Sequence, residues 1–324
     1  MCKLFGITST TTITKRQTDA IVRSVHRSFR VSQRDGFGFT LQHPDRTRYT
    51  ERYTQPGQFD GIGRASAAKK RLPDALKPAV KMDSTGTRDA AGCSALIIHG
   101  RTSTNDITVR NTQPLSKNGW TLAHNGVVEW TGENYPTETT NDSEHLLNMF
   151  ALGKGLDELS DVRGYAALLM MDNAGNFLAF KDARAPLHFA QVKNGFIVAT
   201  SPDDIIAACR AAKFKKPYVA SVPDNVLLTF TPAGEVTSTA HAGIQSAYNL
   251  TAAAQTAFGS HYYTPNKPTS ATPARDTSTP KARGKATKQE VLNWDTLTES
   301  DWNAHAPASI HTMTDEELHR YGLS

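Results

Sequence analysis

Cys2, in Met1-Cys2-Lys3-Leu4-Phe5-Gly6-Ile7, is the residue of this chain with the most chemistry to offer. A small residue after an initiator methionine suits a methionine aminopeptidase, so removal of Met1 is expected to leave a thiol and a free α-amine on one residue. Reference values near ~8 for the amine and ~8.5 for the thiol let the amine take the thiol proton around neutral pH, directly or through a water. The plain alternative is a small residue at the start of a strand. Four further segments bear on that choice. Ser94 to Thr104 is an apolar run ending in His99-Gly100-Arg101 and a string of hydroxyls. Asn111-Thr112-Gln113-Pro114 follows, then Thr121 to Val128, a strand running into Asn125-Gly126, and last Asn141-Asp142-Ser143-Glu144 at a helix start. Taken singly, each is weak: an arginine at a strand end is usually solvated, and Asn-Gly is usually a turn. Their order and spacing are specific.

In that order they resemble the glutaminase domain of class II glutamine amidotransferases, N-terminal-nucleophile (Ntn) hydrolases. The N-terminal Cys, His-x-Arg, Asn-x-His-Pro, His-Asn-Gly and Asp-[Ser/Thr]-Glu of that family all have counterparts here, and the likeness continues through Gly164 to Leu168, Asp182 to Leu187 and Ala199-Thr200-Ser201. It covers roughly residues 2–210. The resemblance implies a four-layer αββα sandwich of the α+β class. It also implies a Cys2 thiolate attacking the side-chain amide of glutamine, with the oxyanion held by the Asn125 side chain and the Gly126 N–H. Arg101 is the natural bidentate partner for the substrate α-carboxylate, Asp142 for its α-ammonium, and Thr104 matches a position that helps hold the substrate. No metal or organic cofactor is implied. Three positions depart from the family: Gln113 stands where a His is frequent, and Thr102 and Asn105 replace an aromatic and a His common in the synthases. His124 reads as a structural strand histidine, because the α-amine already fills the role of base. Cys93 and Cys209 read as core thiols.

The elements that must position these residues are legible in outline. Strands are expected over Lys3–Thr8, Gly38–Gln42, Ser94–His99, Trp120–His124, Tyr165–Asp172, Phe177–Lys181, Leu187–Val192, Gly195–Thr200 and Asn225–Thr231, and helices over Thr18–Phe29, Ser143–Gly153 and Pro202–Ala212. Asn141 supplies an N-cap ahead of Leu146, Leu147 and Phe150. Asp172 to Asn176 and Lys193-Asn194-Gly195 are hairpin signals. Hairpins outnumbering helices point to antiparallel sheets covered by helices.

Composition bounds the rest. The 324 residues, 38% hydrophobic, can bury a substantial core. No apolar run approaches a membrane span, and Ser9 to Gln17 is too polar for a signal peptide, so a cytoplasmic location is the default. Three widely spaced cysteines suggest neither a disulfide framework nor a zinc site. The formal charge of +5 is matched by the stretch 260–289, where Lys267, Arg275, Lys281, Arg283, Lys285 and Lys288 face Asp276 alone. That placement argues against a nucleic-acid partner for the body of the chain. Three regions result: an amidotransferase-like domain over 2–250, a disordered basic linker over 260–289 rich in Pro, Thr, Ser and Lys, and an acidic segment over 290–324. The last holds Trp294, Trp302 and a capping box at Thr314 to Glu317, and reads as a docking segment.

Three functions fit. The leading one is a glutaminase supplying ammonia to a separate synthase docked on the tail, since no adenylation loop, phosphoribosyl-pyrophosphate loop or sugar-isomerase domain is visible in the chain. The second is a γ-glutamyl amide hydrolase, because Asp35-Gly36-Phe37-Gly38 looks like the Asp-Gly-[Trp/Phe]-Gly of the stand-alone amidotransferase-like branch. The third is an inactive amidotransferase fold used as a binding module, against which Cys2, Arg101, Asn125, Gly126 and Asp142 weigh together.

Overall fold

The computed structural model describes residues 2–59, 79–82, 92–103, 106–130, 135, 137–241, 243–244 and 290–291. In chain order its strands are β1 (Lys3–Ile13), β2 (Gly36–Gln42), β3 (Arg48–Tyr53), β4 (Ala79–Met82), β5 (Cys93–Arg101), β6 (Leu115–Lys117), β7 (Trp120–Trp130), β8 (Val162–Met171), β9 (Phe177–Lys181), β10 (His188–Val192), β11 (Gly195–Ala199), β12 (Ala220–Ser221), β13 (Val226–Phe230), β14 (Val236–Ala240) and β15 (Glu290–Val291). Three α-helices occur among the described residues: α1 (Lys15–Ser32), α2 (Asp142–Ala151) and α3 (Pro202–Ala212). The strands form two antiparallel sheets, in the orders β12-β10-β11-β1-β5-β2-β3-β4 and β15-β14-β13-β9-β8-β7-β6.

Period-two alternation along the central strands builds the layers. In β8, Ala167, Leu169 and Met171 enter one apolar cluster while Ala166, Leu168 and Met170 enter another. The first cluster also holds Leu4 of β1, Ala95 and Ile97 of β5 and Ala123 of β7, so it is the seam between the sheets. On the outer side of the first sheet, Phe5, Ile7, Leu96 and Ile98 pack with Ile21, Val22, Val25 and Phe29 of α1 and Ile205 and Ala208 of α3. On the outer side of the second, Leu122 and Leu168 pack with Leu146, Leu147 and Phe150 of α2. Helix, sheet, sheet, helix follow one another, as the resemblance implies. Each large apolar side chain so buried contributes about 1.5–3 kcal/mol, and strands apolar on both faces are what a doubly covered sheet requires.

Helix α1 starts at a capping box that the pattern reading did not register: Thr14 Oγ1 accepts the Gln17 N–H, and Gln17 Oε1 accepts the Thr14 N–H. Both expected hairpins form, with Met171 opposite Phe177 and Val192 opposite Gly195. One expectation is corrected: the strand thought to end at His124 runs on to Trp130, with Asn125 and Gly126 paired in mid-ladder to Ala167 and Ala166. Strands β3, β4, β6, β12, β14 and β15 were not anticipated. In β3 the reason is visible, because Glu51 interrupts the apolar face of Tyr49 and Tyr53 and is buried by accepting both tyrosine hydroxyls.

Of the expected basic linker and acidic tail, all but Glu290 and Val291, which pair with Ser238 and Thr237 of β14, lie outside the described residues. Among the described residues no helix is long and apolar enough to cross a membrane.

Candidate active site

Alternation also decides which polar residues share a face. Cys2 continues the series of Leu4, His99 and Arg101 that of Ala95 and Ile97, Asn125 that of Ala123, and Tyr165 that of Ala167 and Leu169. All five therefore lie on the faces that look into the seam, at one end of the sandwich. The registers fix which end: Lys3 lies opposite Gly100 and Leu4 opposite His99, so Cys2 meets the chain as it leaves β5. There the Thr102 N–H donates to Sγ at 3.4 Å, and the Thr102 carbonyl lies 3.4 Å from the same sulfur. Thr102 is itself held, its hydroxyl donating to Gln33 Oε1 at 2.6 Å, and the next N–H, that of Ser103, donates to Asp35 Oδ2 at 2.8 Å. Gly38, near the start of β2 just after Asp35, lies so close to the Gln113 carbonyl that a Cβ there would collide with it.

Arg101 is buried, and its Nη2 donates to the Asp106 carbonyl at 2.9 Å. Burial pulls its pKa down, while Cys2, Asp35, Asp142 and Asp106 act in the opposite direction. Asp142 opens α2, its Oδ2 accepting the Val128 N–H and its Oδ1 the Ser143 N–H, both at 2.9 Å. A carboxylate at that position also complements the helix dipole. Two residues on, Glu144 accepts the backbone amides of Glu138 and Thr139, and so ties down the loop that leads into the helix.

Asn125 is 1% exposed, and among the described residues neither its Oδ1 nor its Nδ2 meets a hydrogen-bond partner. An unmet buried amide costs about 1–3 kcal/mol, which makes it a place where an incoming group gains. Gly126 faces the opposite way, toward α2, and a Cβ there would strike the Tyr165 carbonyl and His124 Nε2. His124 is buried with Nδ1 2.9 Å from Ser143 Oγ, and burial lowers its pKa, in keeping with a neutral structural histidine.

The Cys2 thiol is pushed up by burial and by the nearby Asp142 charge, against the opposing effects of the Thr102 amide and Arg101. At rest it is a thiol, so nucleophilic use needs a base beside it. The Tyr165 phenol is pushed up to about 12 by burial, then by Cys2, Asp142 and Asp182. It stays protonated and can only donate to an anion.

The structure thus gathers Cys2, Arg101, Asn125 and Asp142 around one end of the seam, with Gly126 in the adjoining peptide. Thr104 and Asn105 lie outside the described residues. Gln33, Asp35 and Tyr165 border the same site without having been assigned to it. For Tyr165 the signal was its parity with Ala167 and Leu169. Among the described residues no group of side chains could hold a metal ion.

No family model matches the chain, and no curated protein matches it. Among solved structures it is similar to the glutamine phosphoribosylpyrophosphate (PRPP) amidotransferase from B. subtilis complexed with ADP and GMP, with a TM-score of 0.50 at 17% identity, over 73% of this chain and 48% of that one. A structure of the allosteric regulatory enzyme of purine biosynthesis matches with a TM-score of 0.48 at 16% identity, over 73% and 48% of the two chains. A predicted glutamine amidotransferase from Pseudomonas aeruginosa matches with a TM-score of 0.34 at 12% identity, over 72% and 98%. The chain spans about half the length of the PRPP amidotransferase, and the first match shows its fold to be that of class II glutamine amidotransferase domains.

Proposed function

We propose that this chain is a glutaminase of the class II amidotransferase type, hydrolysing the side-chain amide of glutamine and passing the ammonia to a separate acceptor protein. The observation that carries this reading is the buried, unmet Asn125 carboxamide on the same face and at the same end of the seam as the Cys2 thiol. In the proposed reaction the free α-amine of Cys2 takes the Sγ proton and the sulfur attacks the substrate Cδ. Asn125 and the Gly126 N–H receive the oxyanion. The tetrahedral adduct collapses as the α-ammonium returns a proton to the leaving nitrogen, releasing ammonia and a thioester, which water cleaves to glutamate and free thiol. Arg101 and Asp142 orient the substrate through its α-carboxylate and α-ammonium.

The test is intact mass followed by glutamate release from L-glutamine, for wild type against Cys2→Ala. Loss of Met1 with Cys2-dependent glutamate supports the reading, whereas a retained Met1 in a protein that still releases glutamate would sink the N-terminal mechanism. The Asp35-Gly36-Phe37-Gly38 segment favours a second reading, a γ-glutamyl amide hydrolase, and its Asp35 accepts the Ser103 N–H next to the Cys2 contact at Thr102. A γ-glutamyl anilide turned over faster than glutamine would select it. The ammonia acceptor is proposed to engage the acidic 290–324 segment.

A further inference from the structure

Gln113 lies behind the residues proposed to receive the oxyanion, and both ends of its carboxamide are engaged. Its Oε1 accepts the His124 N–H at 2.6 Å, and its Nε2 donates to Ser143 Oγ at 2.8 Å. Ser143 Oγ is in turn 2.9 Å from His124 Nδ1. Burial favours the neutral imidazole, and among the described residues Nδ1 is its one nitrogen with a hydrogen-bond partner, the Ser143 hydroxyl. The three bonds close on themselves: His124 to Gln113, Gln113 to Ser143, Ser143 back to His124. The members are 6%, 1% and 2% exposed for Gln113, Ser143 and His124, so water does not compete for these bonds.

Their positions in the chain are what matter. His124 precedes Asn125, and Ser143 follows Asp142. We propose that Gln113 is a positioning residue, whose carboxamide ties the β7 peptide carrying Asn125 and Gly126 to the helix terminus carrying Asp142. It thereby sets the distance between the oxyanion site and the ammonium site. This deepens the glutaminase reading and rests on it. A carboxamide suits the task because it offers one acceptor and one donor at every pH. Around the ring lie Asp142 on α2, Arg52 on β3 with its guanidinium donating to the Thr112 carbonyl, Asp182 after β9 acting on His124, Tyr165 on β8, and His99 on β5 against the His124 backbone.

The experiment measures kcat and KM for L-glutamine from pH 5.5 to 9 in the full chain, for wild type, Gln113→Leu and Gln113→His, with melting curves alongside. Gln113→Leu cannot make either bond and is expected to lower kcat about 10- to 100-fold in a folded protein. A neutral imidazole reproduces one acceptor and one donor, so Gln113→His is expected to recover kcat to within about threefold of wild type at high pH. An imidazolium cannot accept the His124 N–H. The ratio of Gln113→His to wild-type kcat therefore falls as pH drops through the new imidazole pKa, a limb that the wild type lacks. A Gln113→Leu protein with wild-type kcat, or a Gln113→His protein that stays more than about tenfold below wild type at pH 9, overturns the inference. If Gln113→Leu fails to fold, the Gln113→His ratio decides alone. A wild type with no Cys2-dependent turnover overturns the glutaminase reading itself, an outcome distinct from the others.

Discussion

Asn125 and Asp142 do different work in the proposed site, and single substitutions separate them. Asn125→Ala removes a donor that matters once the oxyanion forms, so kcat for glutamine is expected to fall about 100- to 1,000-fold with KM nearly unchanged. Steady-state kinetics in a protein of unchanged melting temperature would show it, and a rise in KM alone would place Asn125 in binding instead. Asp142→Asn keeps one oxygen, which can serve the Val128 amide, while the Ser143 amide retains Asn141 Oδ1 as acceptor, so the start of α2 should hold. The substrate ammonium loses its counter-charge, and KM is expected to rise about tenfold or more. Cys2, Arg101, Asn125 and Asp142 were all legible as residue types in order. Tyr165 and Gln33 were not, because a tyrosine in a strand and a glutamine after a helix look ordinary until the cross-sheet neighbours are known.

Two glycines show how backbone approach, rather than side-chain chemistry, shapes the elements. Gly126 sits in mid-strand where a Cβ would collide with the Tyr165 carbonyl, so Gly126→Ala must open the β7–β8 ladder beside the proposed oxyanion site. A loss of about 1–3 kcal/mol in denaturant unfolding is expected, together with loss of activity. Among the described residues nothing lies within 4 Å of a Cβ built on Gly57, and Gly57→Ala should be neutral or stabilising by up to about 1 kcal/mol. Equal costs at the two positions would refute the packing argument. The same contrast explains what the pattern reading missed. Asn-Gly carries a turn signal, yet here its glycine serves close approach between paired strands. Glu51 broke the apolar run of β3, although two tyrosine hydroxyls make its burial tolerable. Where alternation was unbroken, as in β8 and β11, the boundaries came within a few residues.

At the scale of the whole molecule, burial leaves four histidines among the described residues, His26, His99, His124 and His188, with depressed pKa values, His99 pushed down to about 3. In the unfolded chain they take up protons near ~6.5. Below that pH the unfolded state binds more protons than the folded one, so their contribution is full above ~6.5 and is lost as pH falls toward the folded values. Each excess proton costs about 1.4 kcal/mol of stability per pH unit. Asp204 works the other way, its carboxyl raised by burial, but its contribution appears only toward the carboxylate range. The melting temperature is therefore expected to fall between pH 7.5 and pH 5, and a flat profile would mean that these histidines protonate in place.

The order of the motifs, the thiol beside a prospective α-amine, the N-cap at Asn141 and the period-two runs that make two-faced strands were all determined by the sequence alone, since each is a property of neighbours along the chain. Which residues meet was decided by tertiary structure. Cys2 and Thr102 are a hundred positions apart, and their contact exists because β1 lies antiparallel to β5 in one register. A shift by one residue would turn the polar ends of both strands to the opposite faces. Asn125 could be read either as a turn residue or as a strand residue until the pairing of β7 with β8 carried it into the seam. The Gln113, His124 and Ser143 ring likewise joins three segments whose separations no local pattern encodes.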